Sequence, residues 1–345
     1  VKITGHASGT GVVTVTAPNT STDRTITLPD STDTLIGTAT SDALTTRING
    51  AGGRKNLIIN GDFQVSQRGD YTSATAATNT TYYLDRWDIS TGITATIQDF
   101  GGEVEVAATA TGSSRLRILQ RIEDMSYLAG KTVTISCDMK SNSSVAAIAV
   151  YADSWQTINT QHTGGGAWES LSVTLTLPSS ISTELGIHFG LYNDGSNVAI
   201  TNGDYVRIRD VQLELGSVAT DFEHRSYGEE LALCQRYYYN ITGSDSSIMN
   251  GNWLAASSFY GHVNFPVSMR HGPSIALAVT TGTDYYKIHY NNAVLTFDGT
   301  QFNFYRKHRN GATIYVDGFS AGSQGTGGWL MLSNSSATLA FSCEL

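Results

Sequence analysis

Five stretches between residues 132 and 215 read as extended chain: Thr132–Met139, Val145–Tyr151, Glu169–Leu177, Leu185–Tyr192 and Tyr205–Leu215. Most alternate apolar with polar residues. A period of two places every second side chain on one face of a strand, whereas a helix needs a repeat near 3.6. Turn clusters separate them at Lys140–Ser144, Thr163–Gly166, Asn193–Asn197 and Asn202–Asp204. Short strands spaced by such turns read as an all-β sandwich or jelly roll. The composition agrees, with 35 Gly, frequent Ser and Thr, and only 15% charged residues.

Two segments bracket this series. Asn56–Phe63 and Val211–Phe222 are expected as the first and last strands of one sandwich, so that residues 54–222 form a middle domain. Before it, Gly11–Thr16, Arg24–Pro29 and Thr34–Thr38 alternate over a few residues each, and Ser41–Asn49 has room for one or two helical turns. A piece of some fifty residues buries little core alone, so residues 1–53 are expected to be a β-stalk that oligomerises. Gly50–Gly53 is its joint to the middle domain. Tyr227–Tyr239 carries acidic residues early and Arg236 late, the polarity of a short helix. Strands return at Asp284–Tyr290, Ala293–Phe297, Phe302–Tyr305, Ala312–Val316 and Ala337–Ser342, with Asn291-Asn292 and Asp298-Gly299 as hairpin-type turns. Residues 223–345 are therefore expected to form a second β-sandwich. Ten of the 17 tyrosines lie from Tyr227 onward.

Charge and cysteine content exclude several classes. A net charge of −9 builds no basic field for nucleic acid. No apolar run approaches the roughly 18 residues of a membrane-spanning helix, so no membrane insertion is expected. Cys137, Cys234 and Cys343 are odd in number and far apart, which implies buried free thiols rather than a disulfide framework or a zinc site. The chain begins Val1-Lys-Ile without an initiator Met or a signal-peptide core, which reads as a fragment or processed product of something longer.

Three ordered patterns carry a resemblance. Arg24-Thr-Ile-Thr-Leu-Pro-Asp-Ser-Thr-Asp-Thr-Leu-Ile-Gly37 resembles a segment of bacteriophage tail-fibre shafts. Arg54–Phe63, Leu84-Asp-Arg-Trp87 and Gln212–Glu223 are similar to carbohydrate-binding-module-like jelly rolls of tail proteins. Gly228–Tyr237, followed by Phe265-Pro-Val-Ser-Met-Arg270 and Pro273, resembles the start of a C-terminal fibre-tip domain. The chain thus resembles a phage tail-fibre receptor-binding protein. The resemblance implies a homotrimer on the virion, exposed outside the cell, contacting other phage tail proteins and a bacterial cell-surface glycan or outer-membrane receptor. It also implies a structural Ca²⁺ between the jelly-roll opening and its last strand, with Asn60, Asp62 and Asp210 as the matching positions. Gln64 stands where the family has Glu and removes a charge, and turn hydrogen bonding by Asn60 and Asp62 is the alternative reading. No other cofactor is implied.

Sugar rings offer C–H faces to aromatics and hydroxyls to polar side chains. Trp155, beside Asp153 and Gln156 in a loop-like stretch, is a candidate; so are Trp168 after its Gly run and Tyr82 and Tyr83 in a polar loop. Trp87, leading into Ile89, is expected in the core. In the last domain the candidates are Trp253, Tyr260, His262, Tyr285, Tyr286 and Tyr305, of which roughly half are expected in core or trimer interface. Arg306-Lys-His-Arg309 reads as a solvated hairpin end, or as Arg306 and Arg309 contacting glycan phosphate or carboxylate. A polysaccharide-degrading spike is the rival class, since paired carboxylates cleave glycosides. Glu123-Asp124 and Glu229-Glu230 are adjacent pairs, but neighbours on a strand point apart, and no GxSxG, HExxH or P-loop is present. No enzymatic activity is expected. A structural fibre spacer or minor tail protein is the other alternative.

Overall fold

In the computed structural model, residues 55–345 are described, except 124, 157–159, 193–195 and 321. The stalk expected at residues 1–53 and the turn centred on residues 193–195 lie outside the described residues. The rest is all-β, and the helices are short, α1 (Met125–Leu128) and α2 (Tyr227–Gln235). With strands numbered along the chain, one six-stranded sheet runs β1 (Thr75–Ala77), β4 (Ala95–Asp99), β5 (Val104–Ala108), β14 (Tyr205–Leu215), β8 (Thr132–Ser141), β11 (Trp168–Thr176). A second runs β10 (Trp155–Gln156), β9 (Ala146–Ala152), β12 (Leu185–Leu191), β7 (Leu116–Arg121), β3 (Trp87–Thr91), β2 (Thr81–Leu84), and β13 (Val198–Ile200) pairs with β6 (Gly112–Ser114).

Pairing between neighbours in these sheets is antiparallel, and their alternating residues meet in one core. Ile148, Val150, Ile187 and Phe189 from the second sheet face Val106, Ile135, Val206 and Ile208 from the first, with Trp87 fully buried beside Phe63. This is the expected sandwich, with one correction at its opening. Asn56–Phe63 is not a regular strand. Its backbone binds the end of β14 only at intervals, through Leu57 N–H to Leu213 O (2.8 Å) and Val211 N–H to Gly61 O (2.9 Å). A Cβ on Gly61 would stand 2.2 Å from that Val211 carbonyl, so only glycine permits the approach.

The second core is built from Ile248 to Cys343. A three-stranded sheet runs β15 (Tyr238–Thr242), β24 (Thr338–Ser342), β18 (Ala276–Val279). A seven-stranded sheet runs β20 (Ala293–Phe297), β19 (Tyr286–Tyr290), β23 (Gly327–Leu332), β16 (Ser247–Ala255), β17 (Ser258–Asn264), β22 (Gly311–Val316), β21 (Phe302–His308). The β19–β20 hairpin closes on Asn291-Asn292 as expected, with φ of 48° and 60°, the paired positive values of a type I′ turn. Asp298-Gly299 is no hairpin turn. Asp298 caps a 3₁₀ turn, accepting from Thr300 N–H (2.6 Å), and the chain then crosses to the opposite sheet edge.

Between the cores lies α2, where the expected helix stands. Ser226 and Glu229 form a reciprocal capping box at its start. Charged groups bind the two cores here. Arg225 pairs with Glu230 (3.2 Å), and both hydrogen bond the jelly-roll opening at Ile58 O and Asn60 N–H. Glu123 accepts from Arg236 and from Tyr237 Oη, each at 2.6 Å. Glu344 joins Arg68 and the fully buried Arg86, whose guanidiniums lie over Tyr238 and Tyr237. Beside them Asp85 is buried, accepting from Gln67 N–H and Nε2. Burial raises its carboxyl to about 6, against the opposing pull of Arg68. The three thiols are buried and free, and burial pushes Cys137 and Cys234 upward, which leaves them unreactive.

Candidate functional site

The seven-stranded sheet has one face in the second core and one in solvent. Strict alternation decides which residues face out. On β23, Leu330 and Leu332 are buried while Trp329 between Gly328 and Leu330 is 50% exposed. On β17, Phe259 and Val263 are buried while Tyr260 and His262 face out, and on β22 Ile314 and Val316 are buried while Thr313 and Tyr315 face out. Register then lines these residues up across the strands. One row runs Val294, His289, Trp329, Asn250. The next, displaced along the strands, runs Asn252, Tyr260, Tyr315, Asn303. Neighbouring strands are spaced by about 4.8 Å, so the rows form a continuous platform.

Contacts within the platform fix its rings. His289 and Trp329 stack, with planes 8° apart and centroids at 5.9 Å. Tyr260 and Tyr315 stack at 4.8 Å, and Tyr305 meets Tyr260 edge-on at 5.7 Å. Tyr305 is 58% exposed and carries Arg306 beside it, 5.4 Å from the ring centroid. Asn250, Asn252 and Asn303 supply amides between the rings, and His262 bonds Thr313 (3.2 Å). Exposed aromatic faces bordered by amide and guanidinium donors suit a flat ligand with apolar faces and a hydroxyl rim.

The residues expected to bind are thus only partly brought together. Tyr260, His262, Tyr305 and Arg306 lie on this face. Arg306 to Arg309 stand at the exposed end of the β21–β22 hairpin, with Arg306 still in β21 and Arg309 in the turn. Trp253 and Tyr286 are fully buried core residues, a correction to their reading as surface candidates. Trp253 packs on Phe259, Tyr290 and Phe319, and Tyr286 donates to Thr338 O (2.6 Å). Tyr285 is half-buried against the same core. Tyr315, Trp329 and His289 were not singled out from sequence, although Trp329 next to Leu330 and Leu332 carries the alternation that exposes it.

In the jelly roll the candidates scatter. Tyr82 and Tyr83 are in strand β2, not in a loop: Tyr83 is buried and donates to Ala76 O, while Tyr82 donates to Leu345 O (3.0 Å) at the joint between the cores. Trp168 opens β11 on the first sheet, under Arg209. Trp155 is in the two-residue edge strand β10 of the second sheet, where its ring meets Tyr151, His188 and Tyr192 at about 5 Å. Of the acidic pairs, Glu123 and Glu230 are held by arginines and Glu229 by the helix cap; Asp124 lies outside the described residues.

Asn60, Asp62 and Asp210 do not form an oxygen cage. Asn60 Oδ1 accepts from Val65 N–H, while its amide donates to Val65 O and Asp85 O, all inside the core. Asp62 accepts from Gln64 Nε2 (2.5 Å), the residue that replaces the family's Glu. Among the described residues no group of three or more His, Cys, Asp or Glu is placed to hold a metal. Ca²⁺ takes six to eight oxygens, and the side-chain oxygen of Asn60 is already committed to Val65 N–H.

No protein-family profile matches the chain, and no curated protein matches it in sequence. Solved structures with a similar fold include a CBM4 carbohydrate-binding module, 23% identical, aligned over 46% of this chain and 98% of its own. Another is the tandem CBM22-1–CBM22-2 domain of Paenibacillus barcinonensis Xyn10C, 10% identical, aligned over 81% of this chain and 98% of its own. The TM-score is 0.28 in both cases, a distant likeness that does not bear on function.

Proposed function

We propose that this protein is the receptor-binding part of a phage tail fibre and that it attaches to a bacterial surface glycan through the open face of its seven-stranded sheet. The observation that carries the reading is the platform of Trp329, His289, Tyr260 and Tyr315, set in register across the strands, with Tyr305 against it at the β21 bulge and Trp329 and Tyr305 open to solvent. The order of the three sequence patterns along the chain supports the fibre setting. Attachment is non-covalent and without turnover, since the platform offers stacking faces and hydrogen-bond donors. The fibre is a homotrimer carried on the virion, and weak single sites gain strength from multiple copies.

The test is a glycan array and a host-cell pull-down with the full chain beside a Tyr260→Ala/Trp329→Ala variant. Binding by the wild type and its loss in the variant, with an unchanged melting temperature, is the expected result. Binding by neither overturns the reading and favours a fibre spacer. Release of oligosaccharide from host capsule or lipopolysaccharide would instead mark a degrading spike. A monomeric mass in solution would contradict the trimer.

A further inference from the structure

The end of the β21–β22 hairpin is basic, in a chain whose net charge is −9. Register places His262, Thr313 and Arg306 in one outward row across β17, β22 and β21, with His308 opposite Gly311 further along. The row adjoins Tyr260 and Tyr315, two residues or about 6.6 Å away along the strands. His262, Arg306, His308 and Arg309 are all exposed. Backbone bonds hold the hairpin end in place: Met269 N–H donates to Arg309 O (2.8 Å) and Phe265 N–H to Asn310 O (3.0 Å). The Tyr305 ring steadies Arg306, and Thr313 steadies His262.

Neither arginine has a carboxylate. Elsewhere Arg207, Arg209 and Arg236 pair with Glu105, Asp138 and Glu123. Among the described residues none forms an ion pair or a side-chain hydrogen bond with Arg306 or Arg309. Acidic groups of the second core are engaged elsewhere: Asp245 pairs with Lys287, Glu344 with Arg68, and Asp298 caps its 3₁₀ turn. Asp317 lies past the far end of β22, beside Asn303. Two guanidiniums and two imidazoles thus share one solvent-facing end of the sheet without an anion of the chain's own.

Exposed arginines are well hydrated, so the cluster needs no ligand for stability; its chemistry decides what it would take. A carboxylate brings two oxygens and one charge, which a single guanidinium fork satisfies. A phosphate monoester brings three acceptor oxygens and a charge of about −1.5 to −2, enough for both arginines and an imidazole. We propose that the hairpin end is an anion subsite of the platform, and that it takes a phosphate group carried by the saccharide whose ring lies on Tyr260 and Tyr315. Phosphate oxygens accept from Arg306, Arg309 and His262. The inference rests on the platform reading for the sugar that carries the phosphate, but the anion contact uses other residues and is tested apart from it.

The test applies the full chain to three resins with one sugar backbone: phosphocellulose, carboxymethylcellulose and unmodified cellulose. A protein of net charge −9 is repelled as a whole by both anionic resins, so retention requires a local basic site. The wild type is expected to stay on phosphocellulose and to elute at lower salt from carboxymethylcellulose. Arg306→Ala/Arg309→Ala should weaken binding to phosphocellulose by roughly tenfold or more, with an unchanged melting temperature. Lys131→Ala/Lys140→Ala, which removes the same charge from the jelly roll, should elute as the wild type does. The Tyr260→Ala/Trp329→Ala variant should lose the glycans of the array yet stay on phosphocellulose, so failure of the platform and failure of the anion subsite are read separately. Wild type in the flow-through, equal retention on the two anionic resins, or equal weakening by the arginine and lysine variants overturns the proposal.

Discussion

Two outward sheet faces in this chain are made by the same alternation and end in opposite states. On the seven-stranded sheet the outward residues include large aromatics, with Trp329 and Tyr305 open to solvent. On the jelly roll's second sheet they include alanine, glycine, His188 and two arginines, Arg117 and Arg121, with Trp155 packed against His188 and Arg117. The first face offers area. The second holds unspent hydrogen-bonding capacity in a dry setting, where each interaction is stronger. A two-residue period tells which side chains share a face; it does not tell what will cover that face.

The largest effect expected comes from two tryptophans on one sheet. Trp253→Ala should cost about 3–5 kcal/mol of stability, because its ring is wholly buried and Gly322 backs it at a distance where no Cβ would fit. Trp329→Ala should move the melting point by less than about 0.5 kcal/mol equivalent. Similar losses from both would mean that the open face is not open. Next is the joint, where Asp85 has a folded-state carboxyl raised from 3.8 to about 6. The folded protein holds this proton over that window and the unfolded chain does not. Stability from this group is therefore present below about pH 4 and is lost as pH rises to 6, by about 2–3 kcal/mol. Melting curves against pH should show the wild type falling relative to Asp85→Asn across that window, with the gap constant above it.

A smaller effect separates the two faces directly. Arg117→Met should raise stability by about 1–2 kcal/mol in urea unfolding, because a buried cation without an ion-pair partner among the described residues is removed and its volume kept. Arg306→Met, on the open face, should change stability by no more than about 0.5 kcal/mol. Destabilisation by Arg117→Met would show that the guanidinium is already satisfied. The smallest effect is none: a chelator should leave the melting curve unmoved, since Asn60 is committed to the backbone and Gln64 holds one oxygen of Asp62.

Much of the fold was legible in the residues. The run Leu185–Tyr192, the Asn291-Asn292 turn, the helix after Ser226 and the burial of Trp87 are local signals with local causes. Sites were less legible, because they depend on pairing between distant strands. Nothing near Tyr315 in the chain announces that Tyr260 will stack on it, 55 residues away. Tyr82 looked like loop because Asn79 and the threonines around it are polar, yet tertiary pairing with β3 makes it strand. Asn56–Phe63 failed the other way: its apolar residues are buried, but Asn60 and Phe63 take positive φ and break the ladder. Trp155 was chosen for its polar neighbours, and the groups that make its surroundings unusual lie on β7 and β12.

The ion pairs at the joint have a mechanical side. Glu123 with Arg236, and Glu344 with Arg68 and Arg86, cross between the two cores, while Arg225 and Glu230, at the start of α2, hold the jelly-roll opening through Ile58 O and Asn60 N–H. Drawing the second core away from the jelly roll would have to break contacts at several separate points rather than at one.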